Sequence, residues 1–299
     1  MQNLLKTGIS GISGLLAQNP GKKRRRELLR LVRRALSGDS FELYYQPVYD
    51  CKRREFRSAE GLIRLRDENG GLVSPGEFIP LAEGAGLMGE ISRQVLEKAV
   101  LFLERHPAGL LEQLSVNLSA GELEDGRFLD WAWKLLEHHR VLAKRLRLEL
   151  TERVRPASPG KLQEAMEWLA DAGIGFYLDD FGVGYSNLER MLSLPFEAVK
   201  LDASLTAGIR QDERKYRSIR HMVGMLHEAG FLVVAEGIEN GEEAGKAKEL
   251  FVDRIQGFYY ARPMPENRFL EFMKAEETKE EACDETDGKR KKADEASGR

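Results

Sequence analysis

Glu42-Leu-Tyr-Tyr-Gln-Pro-Val-Tyr-Asp-Cys-Lys-Arg-Arg-Glu-Phe-Arg-Ser-Ala-Glu60 holds two apolar runs, Glu42 to Gln46 and Ser58 to Glu60, linked by about eight residues from Val48 to Glu55. A parallel crossover needs about a dozen residues or more, so this pair is predicted to be an antiparallel hairpin. Further runs follow at Leu114-Ser-Val-Asn117, Leu146-Arg-Leu-Glu149, Gly175-Phe-Tyr-Leu-Asp179, Ala198-Val-Lys200, Leu232-Val-Val-Ala-Glu236 and Arg254-Ile-Gln256. Each run ends on a side chain that can hold a metal, a phosphate or a base. Amphipathic segments near 77–105, 122–139, 160–172, 206–229 and 240–250 lie between them. Alternating strands and helices build a mostly parallel sheet, and strand ends that converge on one mouth are the mark of a barrel. The expected fold is α/β, a TIM-like (β/α)8 barrel with an antiparallel first strand.

The 299 residues, 42% apolar and 32% charged, suffice for one large core. The domain reading is a basic segment and lead-in helix over 1–40, a barrel over 41–274 and a charged, disordered tail over 275–299. Residues before 41 are too few for a sensory domain, so regulation is expected from expression, a partner or oligomerisation. No stretch reaches the roughly 20 apolar residues of a membrane span, and Gly8, Gly11 and Gly14 break the start of the chain, so a cytoplasmic location is expected. Cys51 and Cys283 are the only cysteines; a thiolate metal site is not expected, and any metal must be held by oxygen. Residues 1–40 carry nine Lys/Arg against two acids. Leu28, Leu29, Leu31, Val32 and Leu36 give that helix an apolar stripe, which favours packing on the barrel over a contact with an anionic membrane or a nucleic acid; a protein partner could engage the same helix, and DNA binding is not expected.

The densest chemical signal is Leu178-Asp-Asp-Phe-Gly-Val-Gly-Tyr-Ser186, two adjacent carboxylates at a strand end followed by a glycine-rich loop. Alone it is equally an Asp/Gly turn. Glu60, Asn117, Glu149 and Glu236 at other strand ends turn the balance towards an oxygen-only metal site with Asp179 and Asp180, suited to Mg²⁺ or Mn²⁺. Two such ions about 4 Å apart activate water against a phosphoryl group. Lys200 among these acids either orients that water or is a structural ion pair; its position favours the first. Asp-Phe-Gly also occurs in kinases, but the HRD catalytic loop that precedes it there is lacking. His221 and His227 are read as helix residues and not as ligands.

Tyr45-Gln-Pro47, Glu60-Gly-Leu-Ile-Arg64, Pro75-Gly-Glu-Phe-Ile-Pro80, Ser115-Val-Asn-Leu-Ser119, Glu149-Leu-Thr-Glu152, Asp179-Asp-Phe-Gly182, Lys200-Leu-Asp202, Ala235-Glu-Gly-Ile-Glu239, Gln256-Gly257 and Arg262-Pro263 stand in order along the chain. With these motifs the chain resembles the bacterial EAL-domain phosphodiesterases, which hydrolyse cyclic di-GMP, from about Phe41 to Pro265. The resemblance implies two ions of Mg²⁺ or Mn²⁺: Glu60, Asn117, Glu149 and Asp179 on one, and Asp179, Asp180 and Glu236 on or beside the second. It implies catalytic roles for Lys200, Glu236 and Glu60, with Lys200 acting on the water. Gln46, Arg64 and Gln256 would contact the dinucleotide, Arg64 through its phosphate, while Glu152 and Glu239 would brace the loop after the fifth strand and the ligating groups. It also implies an antiparallel first strand and a homodimer.

The chain departs from the family pattern at Gly61, where Ala is usual, at Val183, where Thr is common, and at Asn187, where Ser is common. Gly61 is expected to loosen the strand, and a missing hydroxyl at 183 to weaken loop ordering. The functional expectation is a metal-dependent phosphodiesterase that opens cyclic di-GMP to linear pGpG. The alternative is a catalytically silent cyclic di-GMP receptor that signals through a partner.

Overall fold

A computed structural model describes residues 20–139, 143–151, 158–183, 188–209 and 211–278. Glu152, Asn187 and the tail beyond 278 lie outside the described residues. β1 (Glu42–Asp50) and β2 (Glu55–Arg66) form the expected antiparallel hairpin, with Gln46 opposite Glu60. Their link is tighter than the apolar runs suggest. The Asp50 carboxylate accepts hydrogen bonds from the N–H groups of Lys52 (3.0 Å) and Arg53 (2.8 Å), and Arg54 takes a φ of 65°. Side-chain capping of this kind lets an Asp close a turn, so both strands run on past their apolar stretches.

The next strands are β3 (Leu72–Val73), β4 (Gln113–Asn117), β5 (Leu146–Thr151), β6 (Gly175–Phe181), β7 (Phe196–Leu201), β8 (Leu232–Ala235), β9 (Arg254–Ile255) and β10 (Met264–Pro265). Neighbours run parallel from β2 through β4, β5, β6, β7 and β8 to β9, and β1 closes the ring by pairing antiparallel with both β2 and β9. This is an eight-stranded closed barrel with one reversed strand. β3 and β10 lie outside the ring, on the edges of β2 and β1. Both escape sequence pattern reading because two residues show no periodicity.

The wall is wrapped by α1 (Pro20–Gly38), α2 (Pro75–Glu83), α3 (Met88–Arg105), α4 (Ala120–Glu124), α5 (Gly126–His139), α6 (Pro159–Asp171), α7 (Leu188–Ser193), α8 (Ala203–Thr206), α9 (Glu213–Glu228) and α10 (Gly241–Glu249). A last helix, α11, covers 266–278 and so runs through 275–278, where the charged tail was expected to begin. The main core lies between strands and helices, with Phe78, Phe102, Phe176 and Phe269 fully buried. α1 contributes Leu28, Val32 and Ala35 to it, so the lead-in helix is part of the barrel's outer layer. Inside the barrel, Val48, Tyr177, Ala198 and Val234 form a small separate cluster.

Below that cluster, where the parallel strands begin, polar groups close the barrel. The Arg254 guanidinium donates to the Tyr177 hydroxyl (2.7 Å) and to Gln113 Oε1 (3.0 Å), and the Tyr177 hydroxyl donates to the same Gln113 oxygen (3.0 Å). Arg147 fills the neighbouring space, and Gly175 beside it in register has no side chain: a Cβ there would lie 2.5 Å from Arg147 Cδ. His221 is exposed and His227 pairs with Asp253 at 2.9 Å, next to the start of β9, so neither is near the strand-end acids.

Candidate active site

The strand ends bring most of the sequence-predicted residues into one cluster, centred on Lys200. Its ammonium lies 2.5 Å from Glu149 Oε2, 2.7 Å from Glu236 Oε1, 3.1 Å from Glu60 Oε2 and 3.4 Å from Asp179 Oδ1. These acids come from β5, the end of β8, β2 and β6, which meet only because the sheet closes. Asn117 at the end of β4 donates its amide to Glu60 Oε1 (2.7 Å). The Gln256 amide donates to Glu60 Oε2 (2.7 Å) and to Gln46 Oε1 (3.1 Å), and the Gln46 amide donates to the Ala261 carbonyl (3.1 Å). Gln46 and Gln256 are thus tied to each other as well as to the acids.

A β-bulge delivers the adjacent acids of β6. Leu178 pairs with Val199 and Phe181 with Leu201, so Asp179 and Asp180 together oppose Lys200 alone. Leu178 and Phe181 both face the outer apolar cluster, which places both intervening acids on the other side of the wall. An extra residue of this kind re-aims side chains, and Asp180 accommodates it with a φ of 57°. The Asp180 N–H donates to Asp179 Oδ1 (2.9 Å). Gly182 follows at a φ of 101°, and a Cβ there would meet Leu205 Cδ1 at 2.5 Å. The tight passage, rather than loop mobility, requires this glycine.

Electrostatics follow from four acids around one cation. Burial alone lowers the basicity of Lys200, yet the charges of Asp179, Glu149, Glu236 and Glu60 outweigh it and hold the ammonium well above its ordinary pKa. Burial, followed by repulsion from Glu60, pushes Glu149 well above the carboxylate range. Burial also raises Glu236, to about 8. For Glu60 burial acts upwards too, but Lys200 together with the amides of Gln256 and Asn117 brings its pKa below the ordinary value. Glu149 Oε1 and Gln256 Oε1 are buried with no hydrogen-bond partner. Unpaired buried acceptors are costly, so both oxygens are open to a further donor or a cation.

Among the described residues no His, Cys, Asp and Glu group is already gathered into a metal-binding cage; the ammonium holds the centre of the cluster. The donors nevertheless suit a hard divalent ion. All are carboxylate or amide oxygens, negative charge is in excess, and Glu149 Oε1 is orphaned.

The other expected residues are placed less centrally. Arg64 projects from the same face of β2 as Glu60, since it lies four residues on; its guanidinium sits 5.5 Å above the Tyr44 ring and donates to the Ile63 carbonyl (2.9 Å). It feels the charge of Glu60 but makes no hydrogen bond to the acids. The Glu239 side chain is exposed, and its described contact is made by its backbone N–H, which donates to Glu243 Oε2 (2.9 Å). The structure does not bring it to the ligating groups. Thr206 was missed in the sequence: its hydroxyl donates to the Glu236 carbonyl (2.7 Å) and fixes the chain just past β8. The only local signal is Asp202, which caps α8 through the Ser204 N–H and so sets where Thr206 points. At Gly61, Val116 fills the space: a Cβ would stand 3.1 Å from Val116 Cγ1, and the residue pairs with both Tyr45 and Val116. Val183 is partly exposed beside the bulge.

Known proteins share this fold. Residues 30–263 match the EAL domain. The chain belongs to the EAL domain family. The cyclic di-GMP phosphodiesterase PA2567 of Pseudomonas aeruginosa is 34% identical over 227 residues, covering 76% of this chain and 39% of that protein. The cyclic di-GMP phosphodiesterase NbdA of the same organism is 32% identical over 246 residues, covering 82% and 31%. The chain therefore spans well under half the length of these relatives. Among solved structures, the PaMucR phosphodiesterase in complex with c-di-GMP superposes with a TM-score of 0.75 at 30% identity, covering 81% of this chain and 99% of the other.

Proposed function

We propose that this EAL domain is a divalent-metal-dependent phosphodiesterase that opens cyclic di-GMP to linear pGpG. The observation that carries the reading is the convergence of Glu60, Glu149, Asp179 and Glu236 on Lys200 at the barrel mouth, with one buried carboxylate oxygen unpartnered. Glu60, Asn117, Glu149 and Asp179 would hold one ion, and Asp179, Asp180 and Glu236 the second. Bound Mg²⁺ or Mn²⁺ would supply Lewis acidity and a water acidic enough to attack at neutral pH. The relatives named as cyclic di-GMP phosphodiesterases support the substrate class.

The chain's own side chains orient the reactants. Water adds across one phosphodiester P–O bond: its oxygen joins phosphorus, and a proton ends on the departing ribose oxygen. Lys200 supplies the fixed positive charge nearest the acids and donates hydrogen bonds to the attacking water or the phosphate. Glu236, 2.7 Å from that ammonium, accepts from the same water. Arg64 stands outward on β2, where a guanidinium can make charge-assisted bonds to phosphate. Gln46 and Gln256 present paired amides to the rest of the dinucleotide. We take the working form to be a homodimer located in the cytoplasm, and sedimentation of the purified chain checks the oligomeric state.

Incubation with cyclic di-GMP and Mn²⁺ should give pGpG by chromatography, abolished by EDTA and by Lys200→Ala or Glu60→Ala. The competing reading is a silent receptor that signals through a partner; it draws on Val183, which puts a methyl where a hydroxyl could order the loop beside Asp180. Calorimetric binding of cyclic di-GMP with no more pGpG than the Lys200→Ala control would decide for the receptor.

A further inference from the structure

α1 turns two different faces to its surroundings. Leu28, Val32 and Ala35 are buried against the barrel's outer layer, which consumes the helix's apolar stripe. On the opposite face Lys22, Arg26, Arg30 and Arg33 are all exposed, and no acidic partner is found for any of them among the described residues. Their spacing sets them in one row along the helix, at intervals of one turn. The neighbouring cations are different: Arg24 is bound to Glu77 (2.9 Å), Arg34 to Glu68 (2.7 Å), and Lys23 lies 3.9 Å from Glu27. The first two pairs fix α1 to α2 and to the turn after β2. Like charges one turn apart repel and weaken a helix, and among the described residues no ion pair neutralises any of the four in the row.

We propose that the Lys22, Arg26, Arg30 and Arg33 face of α1 docks on an anionic phospholipid surface. The buried stripe excludes insertion of α1 itself, so the contact is electrostatic and lies along the helix. Residues 1–19 favour lipid over nucleic acid as the partner. They carry Leu4, Leu5, Ile9, Ile12, Leu15 and Leu16 with Lys6 as the only charge, a composition complementary to hydrocarbon and not to a phosphodiester backbone. A basic row next to an apolar segment supplies the two signals that stable peripheral attachment requires. Among the described residues no helix is long and apolar enough to cross a membrane.

The test uses the full chain in co-sedimentation with two vesicle preparations: neutral phosphatidylcholine, and the same lipid with about 30% phosphatidylglycerol, a surface that attracts basic segments. Binding is expected to the anionic vesicles alone, to weaken strongly when salt rises from about 0.15 M to about 0.5 M, and to fall at least about tenfold in the K22Q/R26Q/R30Q/R33Q variant. That variant keeps every group packed on the barrel, and an unchanged melting temperature verifies its fold. Two single variants, R26Q and R30Q, should each weaken binding by a smaller factor. Equal binding to neutral vesicles, or anionic binding that the quadruple variant retains, overturns the proposal. So does binding to duplex DNA without binding to either vesicle.

Discussion

The two ends of the barrel interior are built on opposite rules. At the end where strands begin, Arg254, Tyr177 and Gln113 satisfy one another over apolar Val48, Ala198 and Val234. At the end where they finish, four carboxylates share one ammonium and Glu149 Oε1 has no partner. A buried polar network that is fully paired contributes rigidity, while one left incomplete is costly. The incomplete end marks where an outside group is meant to enter, and the complete end holds the wall in place while it does.

Removing the shared cation breaks this contrast most severely. Lys200→Met leaves the acids uncompensated, and deleting one partner of a buried ion pair costs about 3–5 kcal/mol. Denaturant unfolding should record that loss, reduced when Mn²⁺ is present, with no pGpG formed; a variant as stable as the parent in EDTA would falsify the electrostatic account. Next in size is metal addition to the native chain. Mn²⁺ at about 100 times its Kd should add about 2.7 kcal/mol, a rise in Tm of about 5–10 °C. Glu149→Gln should abolish that rise, and a Tm indifferent to Mn²⁺ in the native protein speaks against a metal site.

At the other end, Tyr177→Phe removes one hydroxyl from a closed network. It should cost about 1–3 kcal/mol while the Mn²⁺-dependent rise persists; loss of that rise would show that the two ends are coupled. The smallest effect belongs to the hairpin turn beside the closed end. Burial pushes the Cys51 thiol up to about 11, from an ordinary value of 9.0. In a Cys283→Ser background, alkylation should be slow at pH 8 and accelerate as pH approaches about 11. Because the folded pKa lies above the unfolded one, this thiol's contribution to stability is complete below pH 9.0 and is lost as pH climbs to about 11. Alkylation at pH 8 as fast as that of the unfolded chain would show that the turn is open.

The mouth was more legible in the sequence than the closed end, for a physical reason. Acids and amides that terminate apolar runs stand out, since such groups are costly inside a wall without a purpose; Glu60, Asn117, Glu149, Asp179, Lys200 and Gln256 could be placed by that rule. Gln113 stands just outside the run that begins at Leu114, and Tyr177 and Arg254 lie within runs read as strands, but nothing in the sequence tells that these three meet across the barrel. The bulge at Asp179 and Asp180 was anticipated only as a loose strand end. The pairing on both sides of it, and the positive φ at Asp180, appear only once β7 is in place. Glu239 was expected to brace the ligating groups, yet it is exposed, because local sequence fixes neither how far a loop rises nor which side chain it turns inwards.

The reversed first strand has a consequence for biosynthesis. One edge of β1 is shared between residues from the far end of the chain: Asp50 pairs with Arg254, Tyr49 with Ile255, Tyr45 with Met264 and Tyr44 with Pro265. On the ribosome, the hairpin made early must therefore wait with that edge bare until the residues of β9 and β10 have emerged. During this interval Lys200 and its acids belong to an open sheet, so the nascent domain acquires its reactive centre in the same late event that seals its circumference.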